Sequence, residues 1–200
     1  FLVCDTTQQA CSVAIASKKH AAPIHLYEEI GTGHAEHLPR MLQMALDQAR
    51  LSVQDLDGVG VTTGPGTFAG VRVGLAAMRG FAVAKKMPIY TMTGLELMAQ
   101  THLARSPAEG DLPLACVVDA RRGQVYLQQF SANGTPLTPP EVLPIDAAAT
   151  SLSGQTHVLI GTGGGLIAEH LAVAGRLQAY PQSPIIYPDA AHMLAFIQRG

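Results

Sequence analysis

Gly58-Val59-Gly60-Val61-Thr62-Thr63-Gly64-Pro65-Gly66-Thr67-Phe68-Ala69-Gly70-Val71-Arg72-Val73-Gly74-Leu75 is the stretch on which the fold turns. Val59 and Val61 alternate with glycine as a strand, Gly64-Pro65-Gly66 makes a turn, and Thr67 opens a helix. Glycines permit positive φ and close backbone approach. The Thr67 hydroxyl suits an N-cap, and the unpaired N–H groups of a helix start attract anions. The residues alone therefore describe a strand, a glycine loop and a helix with anion-site geometry.

Two familiar motifs of that shape are tested by spacing. A P-loop needs Gly-x4-Gly-Lys-Ser/Thr so that the lysine reaches the outer phosphates. Here Val71-Arg72 follows Gly70, so the chain has no P-loop at this position. Gly64-x-Gly66-x-x-Ala69 does match a dinucleotide fingerprint, which also requires an acidic residue about 20 positions later for the ribose. No Asp or Glu occurs between Asp57 and Glu96, which weighs against that reading.

The same stretch, Gly64-Pro65-Gly66-Thr67-Phe68-Ala69-Gly70-Val71-Arg72-Val73-Gly74, resembles the Gly-Pro-Gly-Ser-Phe-Thr-Gly-Val-Arg-Ile-Gly signature of the TsaB (YeaZ) family. Leu2-Val3-Cys4-Asp5-Thr6-Thr7 is similar to that family's opening block. Asp119-Ala120-Arg121-Arg122-Gly123-Gln124-Val125-Tyr126 is similar to its Asp-Ala-Arg-x-Gly-Glu-Val-Tyr. The three blocks span residues 2 to 126; beyond residue 130 only the general layout matches. The resemblance implies an α/β protein with two ribonuclease H-like domains of the actin, hexokinase and sugar-kinase (ASKHA) fold. It also implies a C-terminal stretch beyond Gly200, and the chain begins at Phe1 without an initiator Met, so a shortened chain is expected.

Bulk properties agree with a globular α/β chain. Two hundred residues at 48% hydrophobic content can bury one large core or two small ones. A net charge of −2 gives no global basic field for nucleic acid. Arg72, Arg79 and Lys85 interrupt the best apolar run, so no membrane span is expected. No signal peptide is visible, and Cys4, Cys11 and Cys116 lack CxxC spacing, so reduced core thiols are expected.

The pattern along the chain repeats. Phe1 to Cys4, Cys11 to Ser17 and Ile24 to Ile30 read as strands, followed by an amphipathic helix His34–Leu51. The glycine loop leads into a helix Thr67–Lys85, then a strand Met87 to Thr91 and a helix capped by Thr93. Residues 105–113, rich in Pro, Gly and Asp, read as a linker between halves 1–104 and 114–200. After it come strand Leu114–Val118, Asp119, a polar turn, strand Gln124–Phe130, and Asn133-Gly134 as a hairpin turn. Val158 to Ile160 then enters Gly161-Thr162-Gly163-Gly164-Gly165, a second strand–glycine loop–helix. Asp5 and Asp119 hold equivalent places in the two halves.

Asp5, Thr6, Thr7, Gly64, Gly66, Thr67 and Asp119 are the candidate phosphate or nucleotide corner. Kinases of the implied fold keep a carboxylate where Asp5 stands, to position water or Mg²⁺. The competing reading is a carboxylate that caps its own turn, favoured because no matching catalytic acid follows. Arg121 and Arg122 replace the glycines that a second phosphate-binding hairpin would use. His34, Glu36 and His37 have the wrong spacing for a zincin, and no third ligand follows locally. No catalytic residue and no metal ligand is assigned.

The paired helices suggest a partner surface instead. His34, Leu38, Met41, Leu42 and Ala45 on the first, with Val71, Leu75, Ala76, Arg79 and Val83 on the second, are the expected contacts. The resemblance implies a non-catalytic subunit of the machinery that transfers threonylcarbamoyl to the adenosine beside the tRNA anticodon. TsaD would hold the catalytic metal and substrate site, with the ATPase TsaE completing the assembly. A homodimer when alone, tRNA met only through the complex, and a cytoplasmic setting are implied too. No cofactor is expected to bind this chain tightly, with room for ATP or ADP in the assembled complex. A small ASKHA-type kinase or glycoprotease-like enzyme is the alternative.

Overall fold

The computed structural model describes residues 1–106, 111–173 and 180–198. Its contacts divide into a first unit, Phe1–Leu97 with Pro188–Gly200, and a second unit, Met98–Tyr187. The linker expected at 105–113 lies partly outside the described residues. The end of the chain groups with the first unit, not with the 114–200 half expected from composition.

In the first unit β1 (Leu2–Asp5), β2 (Ala10–Ile15) and β3 (Ile24–Glu29) form an antiparallel meander. Helix α1 (His34–Ala49) leads to β4 (Val59–Thr62), parallel to β1; α2 (Phe68–Lys85) leads to β5 (Ile89–Met92), parallel to β4. The sheet order is β3-β2-β1-β4-β5. Helix crossovers join the parallel pairs, and loops of four and eight residues join the antiparallel ones, as backbone reach allows. Helix α3 (Gly94–Arg105) follows, started by Thr93 through a reciprocal capping box with Glu96.

Side chains alternate across this sheet, and both faces are covered. Leu2, Cys4, Cys11, Val13 and Ile15 meet the α1 residues Leu38, Met41, Leu42 and Ala45, and Met78 of α2. Val3 and Ala14, one residue out of phase, meet Met193, Leu194 and Ile197 on α6 (Ala191–Ile197). Each fully buried Leu, Ile or Met contributes about 1.5–3 kcal/mol of apolar transfer. Gly60 makes room for α6, since a Cβ there would stand 2.7 Å from Met193 Sδ and 2.9 Å from Ile197 Cδ1.

The second unit repeats the plan with one strand fewer among the described residues. β6 (Leu114–Arg121), β7 (Gln124–Phe130) and β8 (Glu141–Pro144) are antiparallel, and β9 (Val158–Ile160) pairs parallel with β6. Its order is β8-β7-β6-β9. Helices α4 (Ile145–Leu152) and α5 (Gly164–Val173) pack on it through Ala148, Leu152, Ile167 and Leu171. Asn133-Gly134 does form its turn, with Gly134 at φ 82. These are two ribonuclease H-like units of the ASKHA fold. Among the described residues no helix is long and apolar enough to cross a membrane.

Candidate functional site

The turn after β1 and the glycine loop after β4 meet in the first unit. Adjacent parallel strands β1 and β4 deliver Asp5-Thr6-Thr7 and Thr62 to the same sheet edge. Asp5 is fully buried. Its Oδ1 accepts from the Thr7 hydroxyl at 2.8 Å and from the Thr62 hydroxyl, and its Oδ2 accepts from Thr7 N at 3.3 Å. Burial pushes the Asp5 carboxyl up to about 6; the three donors pull against that, and the neighbouring Asp189 carboxylate adds to the rise.

The glycine loop closes onto this corner by backbone contact. Thr67 N donates to Thr7 O at 2.7 Å, and the Thr6 hydroxyl donates to Gly70 O at 2.7 Å. A Cβ on Gly66 would stand 2.0 Å from Thr7 O, and one on Gly70 would stand 2.0 Å from Thr6 O. One turn further, a Cβ on Gly74 would lie 2.6 Å from the Thr6 hydroxyl oxygen. Glycine recurs along this side of α2 because the β1–β2 turn lies against it.

Thr67 is the helix cap the sequence predicts, its hydroxyl accepting from Gly70 N at 3.0 Å. The helix start and the carboxylate are both engaged by the chain itself, which is the geometry of a structural latch. Thr62 and Gly70 belong to this corner although neither is among the expected site residues. Thr62 carries a legible signal, a hydroxyl at the strand end beside the glycine loop.

Asp119 heads a separate cluster within the second unit. Its Oδ1 accepts from Arg121 N at 2.7 Å, its Oδ2 lies 3.2 Å from Arg121 Nη1, and its N–H donates to the Thr162 hydroxyl at 3.0 Å. Gly161 and Gly163 press on the end of β6, where a Cβ would meet Val117 O at 2.6 Å and Val117 Cγ1 at 2.7 Å, respectively. The Asp–turn–glycine-loop arrangement is thus present twice.

A further buried cluster escapes sequence reading because its members are far apart in the chain. Asp189 Oδ1 accepts from His25 Nε2 at 2.8 Å, from the Ser12 hydroxyl at 3.2 Å and from Ala191 N at 3.0 Å. Ser12 Oγ in turn accepts from Ala190 N at 2.9 Å. The serine bonds to the aspartate and not to the histidine, so this is a clasp holding α6 and not a nucleophile with its base.

The other histidines are separately engaged. His34 Nε2 lies 3.2 Å from Ala10 O, and His37 Nδ1 lies 3.6 Å from the Glu28 carboxylate. Among the described residues no group of three or more His, Cys, Asp or Glu side chains is placed to hold a metal.

The expected partner face needs correction. Leu38, Met41, Leu42 and Ala45 all pack into the first unit's own core, and His34 is buried against the Ala10 carbonyl. Their helical spacing reports burial, and the sheet is what buries them. On α2, Val71 and Leu75 are half-buried, whereas Ala76, Arg79 and Val83 are exposed. Phe68 at 75% and Val83 at 79% exposure mark the two ends of an outward face. The Arg72 guanidinium covers the Phe68 ring, 3.2 Å from its centroid.

Comparison with known proteins bears on this arrangement. The family model described as TsaD: tRNA N6-adenosine threonylcarbamoyltransferase matches residues 27–196. The tRNA threonylcarbamoyladenosine biosynthesis protein TsaB of Buchnera aphidicola subsp. Schizaphis graminum is 25% identical over 203 residues, 98% of this chain and 92% of that protein. The protein of the same description from Escherichia coli K12 is 29% identical over 172 residues, 82% and 71% of the two chains. The solved structure of YeaZ from Pseudomonas aeruginosa superposes with a TM-score of 0.81 at 26% identity, covering 99% of this chain and 90% of that one. The chain belongs to the family of that model and, within it, to the TsaB (YeaZ) group.

Proposed function

We propose that this chain is a non-catalytic partner subunit in the synthesis of threonylcarbamoyladenosine on tRNA, supporting a TsaD-type catalytic subunit. Membership of the TsaB group supports the pathway. The observation that carries the role is the closed Asp5 corner: the carboxylate that the fold's kinases leave open to metal and phosphate is buried here against Thr7 and Thr62. In the second unit, Asp119 is engaged by Arg121. Support for the catalytic partner comes from a surface, and the α2 face bearing Phe68, Ala76, Arg79 and Val83 is the apolar candidate.

In this reading the chain forms a homodimer when alone and a heterodimer with the TsaD-type subunit. The ATPase TsaE and tRNA join the assembly, and ATP or ADP acts within it and not on the isolated chain. The setting is cytoplasmic. The chain should co-purify with a TsaD-type protein and raise threonylcarbamoyl incorporation into tRNA, while hydrolysing no ATP alone. Ala76→Glu puts a carboxylate on the exposed side of α2; it should leave the circular dichroism spectrum intact and abolish association in sedimentation. Steady-state ATP hydrolysis by the isolated chain, lost in Asp5→Ala, would overturn the reading in favour of a kinase-like enzyme.

A further inference from the structure

Half of the permanent cations of the second unit stand side by side on one turn. Between Met98 and Tyr187 the sequence has no lysine and four arginines, Arg105, Arg121, Arg122 and Arg176. Arg121 pairs with Gln124 at the end of the β6–β7 ladder, beyond a bulge, so Arg122-Gly123 make the hairpin loop. Three successive residues are left-handed, with φ of 68 at Arg121, 54 at Arg122 and 74 at Gly123. Two-residue loops of this hand favour Asn-Gly or Gly-Gly, because a long L side chain is crowded at positive φ. Two arginines are therefore held here against the preference of the backbone.

The tip is braced from below and open outward. Asp119 takes Arg121 N at 2.7 Å and Arg121 Nη1 at 3.2 Å, and is itself tied to Thr162. Among the described residues Arg122 makes no hydrogen bond or ion pair. Residues 121–124 are all exposed, so the tip is open to solvent. Small ligands are enclosed by concave sites, whereas an exposed pair of guanidiniums suits an extended polyanion. Arginine forks match phosphate oxygens bidentately, and a rigid turn limits the freedom lost on contact.

We propose that the Arg121–Arg122 tip contacts the phosphate backbone of RNA; naming that RNA as tRNA rests on the functional reading above. The net charge of −2 does not oppose this, because the contact is local and screened beyond about 8–10 Å.

The test uses the full chain assembled with a TsaD-type subunit and fluorescein-labelled tRNA, with anisotropy measured across a salt series. Arg122→Asn removes the charge and keeps a residue tolerant of left-handed backbone; Arg122→Lys keeps the charge. Arg122→Asn should weaken binding uniformly across tRNA sequences and lower the slope of log K against log salt by about 1, while Arg122→Lys keeps the slope. The melting temperature of Arg122→Asn should not fall. Wild-type affinity and slope in Arg122→Asn, or an equal loss of slope in Arg122→Lys, overturns the proposal. Loss of ADP affinity with tRNA binding retained would assign the tip to a free nucleotide and also overturn it. Failure of the wild-type chain to assemble or to support modification sinks the functional reading; a wild-type complex that works beside an indistinguishable Arg122→Asn sinks this inference alone.

Discussion

Gly70→Ala is the sharpest perturbation of the latch between the β1–β2 turn and α2. The added Cβ would stand 2.0 Å from Thr6 O and 2.6 Å from Thr67 Oγ1, where ordinary contact begins at 3.4 Å. The obstacle is a backbone carbonyl in a buried turn, which has no rotamer to change. It must retreat by roughly 1.4 Å, undoing the 2.7 Å bonds from the Thr6 hydroxyl to Gly70 O and from Thr67 N to Thr7 O. Each lost hydrogen bond costs about 1 kcal/mol, and overpacking a closed site costs about 1–3 kcal/mol. Alanine's better helix propensity returns about 1 kcal/mol, which leaves a net loss of about 2–4 kcal/mol.

For a chain of this length that is a fall in Tm of about 5–15 °C. Gly80→Ala is the matched control on the same helix, since nothing lies within 4 Å of its built Cβ. With propensity alone acting, it should gain up to about 1 kcal/mol and melt about 2–4 °C higher. Thermal and urea denaturation followed by circular dichroism read both. If Gly70→Ala melts with the wild type, or if Gly80→Ala falls in step with it, close approach is not why glycine stands at residue 70.

Asp5 titrates near 6 in the folded protein against 3.8 for a free side chain, so between those values the folded state holds a proton that the unfolded state has lost. The associated stability is fully present below about pH 4 and drains as pH rises through about 6, amounting to up to about 3 kcal/mol. Asp5→Asn should therefore gain on the wild type in Tm from pH 4 to pH 7; a relative loss over that window would show the carboxylate to be favoured by the fold. Met41→Ala, in the core between α1 and the sheet, should cost about 2–5 kcal/mol in denaturation while leaving partner affinity unchanged at temperatures where it is folded. A wild-type Tm with lost association would return α1 to the partner surface. His25→Ala removes the 2.8 Å contact to buried Asp189 and should cost about 1–3 kcal/mol, speeding hydrogen exchange in Ala191–Ile197. Unchanged exchange there would refute the clasp.

Features governed by near neighbours were legible from the residues. Thr67 caps α2 because a hydroxyl at that position reaches an N–H three residues on, and Asn133-Gly134 turns because its backbone tolerates positive φ. Strand β7, Gln124–Phe130, and strand β9, Val158–Ile160, lie where the alternation and the apolar run put them. Three elements had no such signal. β8 is a four-residue edge strand after Pro139-Pro140, α4 starts on Pro144 without a hydroxyl or carboxylate cap, and the seven-residue α6 follows an Ala190 N-cap.

The sequence by itself determined the duplicated strand–turn–strand plan, the two glycine loops and the pairing of Asp5 with a polar turn. Each depends on bonds or φ angles spanning a few residues. Only the tertiary structure decided what each exposed or hidden face meets. Periodicity told that Leu38, Met41 and Ala45 share a buried stripe, yet the same stripe serves a sheet or a partner. The sheet occupies it, and the outer side of α2 is what stays exposed. Nor could spacing bring Thr62 to Asp5, or His25 and Ser12 to Asp189, 164 and 177 residues along the chain. Those contacts arise from strand order and from the return of the chain's end to the first sheet, and neither is encoded in any local run of residues.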